Sequence, residues 1–521
     1  MKNGAHGLIE TLIKSGVEVC FANPGTSEMQ LVQAIDQISG MRPILALFEG
    51  VVTGAADGYA RMARKPACTL LHLGPGLANG VANLHNAKKA HSPVVNVVGD
   101  HALDHVKFDA PLTSDVEGIA RPVSHWVRSA ATPAELAALG AQAVAVAGHV
   151  PGQVATLLAP ADNAWTALPA EFVAPSKLPV PALPLVPDRV IDNAVKALKR
   201  ARNPVLLLGG EALIGEGLKQ AGRIAAVIPV RLHSETFNRL IERGAGRVPL
   251  GILPYFGDRA LELLDGVDVL LLLGSKRPVA FFAYPNQPSV LVPNGCEVVP
   301  VAGPTDDVVA ALTTLADALH APAAPRIFQS SLALPAMDGP LDGRLAAHVI
   351  GRCLPEGAIV VDEGITCSLF AQQATLGAPA HAWMQLMGGA IGNGLPLAVG
   401  AAVACPERKV ICLEGDGSAM YTVQSLWTMA RERLDVINII FANRSYAILN
   451  IEFERVGVGA PGPRALSMLD MSSPSLAWTE IGRGMGVNSA RVETAAQFET
   501  VFRSMLRAPG PHLIEVVLPA K

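Results

Sequence analysis

Within the 521 residues, the stretch from Lys409 to Tyr446 constrains the fold most. Lys409-Val410-Ile411-Cys412-Leu413 is a short apolar run that reads as a buried strand. Gly415-Asp416-Gly417 reads as a turn. From Thr422 to Glu432, the apolar residues Val423, Leu426, Trp427 and Ala430 fall on one face of a helix. A second apolar run, Val436 to Phe441, ends at Ala442-Asn443. A strand–helix–strand unit of this kind places its two strands parallel, joined by a right-handed crossover.

The spacing has a chemical consequence. Asp416 and Asn443 are 27 residues apart, about one helix plus one strand, so both fall just beyond the carboxyl ends of strands in one sheet. Open α/β sheets bind ligands at that edge. A carboxylate, an amide oxygen and loop carbonyls suit a hard cation such as Mg²⁺, which takes few protein oxygens and fills its octahedron with phosphate and water. Gly415 and Gly417 allow the main chain to approach a diphosphate, and Ser418 is expected to open a helix whose N-terminus favours anions.

The same alternation occurs at the N-terminal end. Strands are expected at Val17–Phe21, Pro43–Phe48, Ala67–Leu71 and Val94–Val98, each followed by a polar or glycine-containing segment. Thr26, Glu49, His72 and His101 then share one edge of one sheet. Two proline-rich stretches, one from Pro169 to Pro187 and one containing Pro322, Pro325, Pro335 and Pro340, read as extended linkers. They divide the chain into blocks 1–168, 188–320 and 341–521. The expected fold class is α/β, with three domains built on mainly parallel, doubly wound sheets.

Half the residues are hydrophobic and 17% are charged, enough apolar material for large cores. A net charge of −4 gives no electrostatic case for nucleic acid or an anionic membrane. The seven cysteines are scattered without a Cys-x-x-Cys pair, which reads as a reduced, cytoplasmic protein without a disulfide framework. Residues 1–6 lack the apolar core of a signal peptide. The most apolar run, Met387 to Cys405, holds five glycines, Asn393 and Pro396 and reads as a glycine-rich turn before a buried helix, so no membrane span is expected.

Gly415-Asp416-Gly417, followed by an asparagine that closes the next strand, resembles the signature of thiamine diphosphate (ThDP) enzymes. The usual ending is Asn-Asn, and here it is Ala442-Asn443. The resemblance spans nearly the whole chain, is strongest at 20–101 and 386–455, and implies the following roles. Asp416, Asn443 and the Ser445 carbonyl hold Mg²⁺. Gly415, Gly417, Ser418, Tyr446 and Thr366 line the diphosphate. Ile391 wedges between the cofactor rings, and the Gly389 carbonyl accepts from the 4′-amino group. Phe48-Glu49-Gly50, with Ala56-Asp57-Gly58-Tyr59-Ala60-Arg61, looks like the family's catalytic glutamate and its helix. Glu49 would hydrogen-bond the pyrimidine N1′. In the family, pyrimidine and diphosphate are held by different subunits, which implies at least a homodimer and usually a homotetramer.

Leu71-His72, 23 residues after Glu49, is similar to the histidine of benzoylformate decarboxylases that handles protons, which imidazole can do near neutrality. Thr26 stands where those enzymes carry a serine that contacts the substrate carboxylate. Ile448 and Leu449 would face the substrate, and an apolar residue at 449 suggests a bulky or aromatic side chain. Glu452, four residues after Ile448, shares its helix face and is read equally as solvated or functional. His101 and His105 are secondary candidates. The second histidine that benzoylformate decarboxylases supply from the middle domain has no counterpart around residues 278–284. Glycine turns after Pro204–Leu208 and Val267–Leu273 fit a nucleotide or FAD only loosely, and an empty middle domain is expected. The implied activity is ThDP- and Mg²⁺-dependent decarboxylation of a small 2-oxo acid to an aldehyde and CO₂. An acetolactate-synthase-like carboligase and a non-catalytic ThDP-binding subunit are the alternatives.

Overall fold

In the computed structural model, which describes residues 2–519, the chain forms three sheets flanked by helices. Met1, where the leader reading begins, and Ala520 and Lys521, at the end of the third block, lie outside the described residues. Six parallel strands form the first sheet, in spatial order Arg42–Leu45, Val19–Asn23, Ala67–His72, Val94–Asp100, Val154–Pro160 and Trp126–Ser129. Because the first four are neighbours and parallel, the segments holding Thr26, Glu49, His72 and His101 emerge at one edge. The boundaries differ in both directions: the strand expected at Pro43–Phe48 spans only Arg42–Leu45, and the one expected at Val17–Phe21 spans Val19–Asn23. The strand from Ala67 takes in His72 itself, and the helix that follows Arg42–Leu45 begins at Glu49.

The middle sheet is also wholly parallel, in the order Gly251–Ile252, Arg231–Ser234, Pro204–Leu208, Val269–Leu273 and Glu297–Ala302. The third sheet has seven strands. Asn488–Val492, His512–Val517, Val436–Ala442, Val410–Gly415, Ile359–Glu363 and His381–Gln385 are parallel. The seventh, Ile241–Arg243, comes from the middle of the chain and pairs antiparallel with His381–Gln385. Three residues within a glycine-rich loop carry no periodic signal, so this edge strand is not visible in the sequence.

Burial explains the near-continuous apolar runs. Val410 to Leu413 and Val436 to Ile440 are fully buried because helices cover both faces of a parallel sheet. The first and third sheets are joined by two small-residue helices, Glu49–Ala63 and Gly394–Ala404. A Cβ at Gly58 would lie 2.1 Å from the Leu397 carbonyl oxygen, and one at Gly400 would lie 1.9 Å from that of Ala55. These glycines therefore set the distance at which the main chains meet. Among the described residues, no helix is long and apolar enough to cross a membrane.

Candidate active site

The third sheet brings the Gly-Asp-Gly turn and the asparagine together directly. Val410–Gly415 and Val436–Ala442 are adjacent and parallel, with Gly415 in register with Phe441. Asp416 and Asn443 thus leave neighbouring strands at the same edge. Asp416 is 4% exposed and accepts from the Arg444 amide (2.6 Å) and the Gly417 amide (2.9 Å). Burial pushes its carboxyl up to about 6, opposed by those two amides. Asn443 Oδ1 accepts from the Ser445 amide at 3.1 Å, and the Asn450 side chain donates to Ser445 Oγ. The segment is pinned from outside, since the Tyr446 amide donates to Leu469 and the Met471 amide to Arg444.

The turn is tighter than expected. Asp416–Ala419 is a separate four-residue helix, and the longer helix begins only at Ser425. Ser418 therefore lies within the short helix and does not open the long one, because Met420–Thr422 winds into a 3₁₀ turn between them. At Gly417 a Cβ would come within 2.6 Å of the Tyr446 ring, so only glycine fits beneath that side chain. Arg444 (φ 56°) and Ile365 (φ 48°) adopt left-handed main-chain conformations on either side of this edge. For a β-branched residue such as Ile365 that conformation is strained, and such strain concentrates at functional sites.

The donor set can be tested against the groups expected here. Among the described residues, no three His, Cys, Asp or Glu side chains cluster to hold a metal. A cation at this edge would have Asp416 as its single carboxylate beside the amide oxygen of Asn443 and main-chain oxygen, a set that suits a hard ion completed by phosphate and water.

Beside this edge lies a cavity of about 310 Å³, into which Thr366, Gly389, Ile391, Ile448, Leu449 and Glu452 project from the third domain. The segment carrying Gly389 and Ile391 is held by two buried carboxyls to which the sequence reading gave no role. Glu363 accepts from the amides of Gly392 (2.9 Å) and Gly394 (2.6 Å), and Glu414 accepts from that of Leu395 (2.9 Å). Burial pushes Glu363 up to about 7 and Glu414 well above the usual carboxylate range, with repulsion from Glu363 adding to the second. A charged residue closing the apolar run 410–413, just before the glycine turn, was the signal available for Glu414.

In the first domain, Glu49 is 8% exposed at the first position of its helix and accepts from Asn79 Nδ2 at 3.0 Å. His72 ends its strand, and its Nδ1 lies 2.8 Å from Oε2 of Glu28, a fully buried carboxylate missing from the candidates. Glu28 also accepts from the Gly25 amide (2.7 Å) and from Ser27 Oγ (2.6 Å). Gly25 and Gly99 make room for this pair: a Cβ at the former would strike the His72 ring, and one at the latter would strike the Glu28 carboxylate. Thr26 opens the 3₁₀ turn that contains Glu28. His101 Nε2 is buried without a partner among the described residues, and its ring lies 5.4 Å from that of His105.

Thr26, Glu49 and His72 share one sheet edge but are not among the residues lining the 310 Å³ cavity, and neither are Gly415, Asp416, Gly417, Ser418, Asn443, Ser445 and Tyr446. The two halves are nonetheless coupled within the chain. Asn83 Nδ2 bridges the carbonyls of Gly50 (2.8 Å) and Gly392 (3.2 Å), and Asn86 and His85 reach the carbonyls of Ala390 and Gly388.

Two segments of the chain match models of known protein families. Residues 2–120 match the N-terminal, and residues 363–516 the C-terminal, TPP-binding domain of thiamine pyrophosphate enzymes. A Mycobacterium tuberculosis protein with the provisional name acetolactate synthase large subunit IlvX is 50% identical over 99% of both chains. Benzoylformate decarboxylase of Pseudomonas aeruginosa is 31% identical, again over 99% of both. The fold superimposes on a Rhodococcus jostii ThDP-dependent 4-hydroxybenzoylformate decarboxylase over the whole of both chains, with a TM-score of 0.83 at 24% identity. With both cofactor-binding domains matched and a relative of 50% identity aligned end to end, the chain is a ThDP-dependent enzyme of the acetolactate synthase and 2-oxo acid decarboxylase family.

Proposed function

We propose that this enzyme decarboxylates an aromatic 2-oxo acid without oxidation, giving CO₂ and an aldehyde, with one proton taking the place of the departing carboxylate. The observation that carries the reading is the 310 Å³ cavity lined by Thr366, Gly389 and Ile391. Its third-domain wall presents Ile391, Ile448 and Leu449, and its middle-domain wall presents Phe237, Tyr255, Phe256, Phe281 and Phe282. Neighbouring rings pack at centroid distances of 4.8 to 6.2 Å. An aryl side chain fits such a wall by edge and face contacts.

In this reading Asp416, Asn443 and the Ser445 carbonyl hold Mg²⁺ against the cofactor diphosphate, with Gly415, Gly417, Ser418, Tyr446 and Thr366 around it. Ile391 and Gly389 set the posture of its rings. Glu49 accepts a hydrogen bond from its pyrimidine. When bound, ThDP supplies a carbon nucleophile for the substrate carbonyl and an electron sink for the carboxylate's electrons. Thr26 offers a hydroxyl to the substrate carboxylate. His72, oriented by Glu28, delivers the proton that replaces CO₂. Glu49, His72 and Thr26 serve the cofactor of a partner subunit, so a homodimer is the smallest active unit.

The test is CO₂ release from a panel running from pyruvate through branched-chain acids to benzoylformate, with ThDP and Mg²⁺ and no FAD. Aldehyde and CO₂ from the aromatic members are expected. Release from pyruvate alone, with acetolactate as product, would replace this reading with the carboligase that the 50% identical relative favours.

A further inference from the structure

Helix Leu73–Lys89 of the first domain carries Asn79, Asn83 and Asn86 on one face, at spacings of four and three residues. Asn79 reaches Glu49, and the other two reach the third domain. Asn86 pairs with both main-chain groups of Ala390: its Nδ2 donates to the carbonyl at 2.8 Å, and its Oδ1 accepts from the amide at 3.2 Å. Asn83 Nδ2 donates to the Gly50 and Gly392 carbonyls, and its Oδ1 accepts from Asn86 (2.9 Å) and Asn393 (3.0 Å). His85 Nε2 lies 3.0 Å from the Gly388 carbonyl. Both Asn83 and Asn86 are buried, and a Cβ at Gly388 would lie 2.5 Å from Asn86 Oδ1, so the turn rests directly on the helix. The carbonyls held are thus those of Gly388, Ala390 and Gly392. Those of Gly389 and Ile391 have no hydrogen-bond donor among the described residues, and within this turn it is Gly389 and Ile391 that line the 310 Å³ cavity.

We propose that Asn83 and Asn86, with His85, are positioning residues that fix which groups of the Gly388–Gly392 turn meet the cofactor. Holding every second carbonyl leaves the Gly389 carbonyl and the Ile391 side chain as the pair offered to it. The inference rests on the reading above that these two groups set the posture of the ThDP rings. It adds what sets the groups themselves, and it is independent of the substrate. Glu363 also holds the turn, but through the Gly392 and Gly394 amides, which leaves the choice of carbonyl to the helix. A slip of one residue would offer the Ala390 carbonyl and a glycine in place of Gly389 and Ile391. Polar side chains paired at both ends hold one arrangement against such a slip. The amide of Asn86 matches the N–H and C=O of a single residue, which a carboxylate of the same shape, lacking a donor, does not. Gly389 has no room for a side chain of its own: its φ is 75°, and a Cβ would come within 2.9 Å of the Phe281 ring.

The experiment reads binding and needs no turnover. The full chain, freed of cofactor, is titrated calorimetrically at fixed Mg²⁺ with ThDP and with its 4′-deamino analogue, in which hydrogen replaces the amino group. The native chain should prefer ThDP by roughly tenfold, the worth of one buried hydrogen bond. Asn86→Asp keeps the shape, removes the donor and sets a carboxylate against the Ala390 carbonyl, so the preference should shrink to within about twofold. His85→Leu should lose part of it, and His85→Gln, which keeps a donor, should restore it. A purely structural role would weaken both ligands alike and leave their ratio unchanged. Asn96→Ala controls for this: Asn96 is fully buried in the same domain but bonds Thr69 and Thr156 and not the turn, so the variant should lose stability and keep the full preference. A native preference that survives in Asn86→Asp, or is lost equally in Asn96→Ala, overturns the proposal and leaves the cofactor reading in place. Should Asn86→Asp not fold, survival of the preference in His85→Leu overturns it in the same way. A native chain that binds the two ligands equally removes the Gly389 contact itself, and the proposal with it.

Discussion

Nδ1 of His72 lies 2.8 Å from Oε2 of Glu28, and Glu28 is fully buried. The carboxylate also draws in the Gly25 amide and the Ser27 hydroxyl, so the 3₁₀ turn after the first strand and the end of the third share one anchor. Nδ1 is thereby committed, leaving Nε2 as the nitrogen free to exchange a proton with a substrate. Glu28→Gln keeps the shape but removes the charge that orients the ring. We expect kcat to fall by roughly a hundredfold, the lower end of the usual span of a general acid–base contribution, while ThDP affinity stays within about twofold. Unchanged kcat would separate His72 from turnover.

Glu49 and Asp416 follow strands of different sheets, the first and the third. If one active site combines Glu49 of one subunit with Asp416 of its partner, the two inactive variants should rescue each other. Glu49→Gln should bind ThDP and turn over at under roughly a thousandth of the native rate, as expected for loss of a principal proton-handling group. Asp416→Ala should lose Mg²⁺-dependent ThDP binding. Co-expressed as differently tagged chains, half the dimers are mixed and each mixed dimer keeps one intact site, so about a quarter of native activity should return. No recovery would place both residues in the same subunit's site.

His381 bears on the edge strand that the sequence reading missed. It is 4% exposed, its Nδ1–H donates to the Pro379 carbonyl at 2.7 Å, and Nε2 has no partner among the described residues. Burial, with a smaller effect from the nearby Arg243, lowers its pKa to about 4. The folded chain therefore holds it neutral, while the unfolded chain protonates it below about 6.5. Its contribution to stability is complete above about 6.5 and is lost as pH falls from there towards 4, at up to roughly 1.4 kcal/mol per pH unit. Denaturant unfolding of His381→Gln between pH 7.5 and 4.5 should show a shallower acid slope than the native chain. Parallel slopes would mean that His381 is protonated in the folded state.

The parts of the fold that were legible in the sequence are those with a period or a sharp boundary. Val410 to Leu413 and Val436 to Phe441 are apolar on both faces and end at Gly415 and Asn443, so their pairing followed from length alone. Glu28 was harder. It meets a partner far along the chain, His72 at 44 residues, and no local pattern encodes such a meeting. The strand Ile241–Arg243 failed for a different reason, since its pairing to His381–Gln385 is decided by packing between domains. The break between Asp416–Ala419 and Ser425–Glu432 was hidden because every residue between them tolerates a helix.

Asp57 and Arg61, one helical turn apart behind Glu49, form an ion pair with no solvent exposure on either side chain. The guanidinium meets the carboxylate through two hydrogen bonds of 2.6 and 2.7 Å, and Ser92 Oγ donates to the same carboxylate. Arg61 Nη1 then donates 2.8 Å across to the Gln385 carbonyl, at the end of the strand beside Ile241–Arg243. The pair therefore joins the Glu49 helix to the third sheet as well as neutralising itself. Removing one member strands the other charge in the core, which costs more than the pair's net worth. Asp57→Ala should lower stability by about 3 to 5 kcal/mol. The double replacement Asp57→Leu with Arg61→Met, apolar and similar in volume, should recover much of that loss, because no charge is left unpaired. Chemical denaturation with ThDP and Mg²⁺ absent would read both directly. A double variant no more stable than Asp57→Ala would show that the Arg61 bond to Gln385 outweighs the desolvation of the charges, and that the third sheet depends on it.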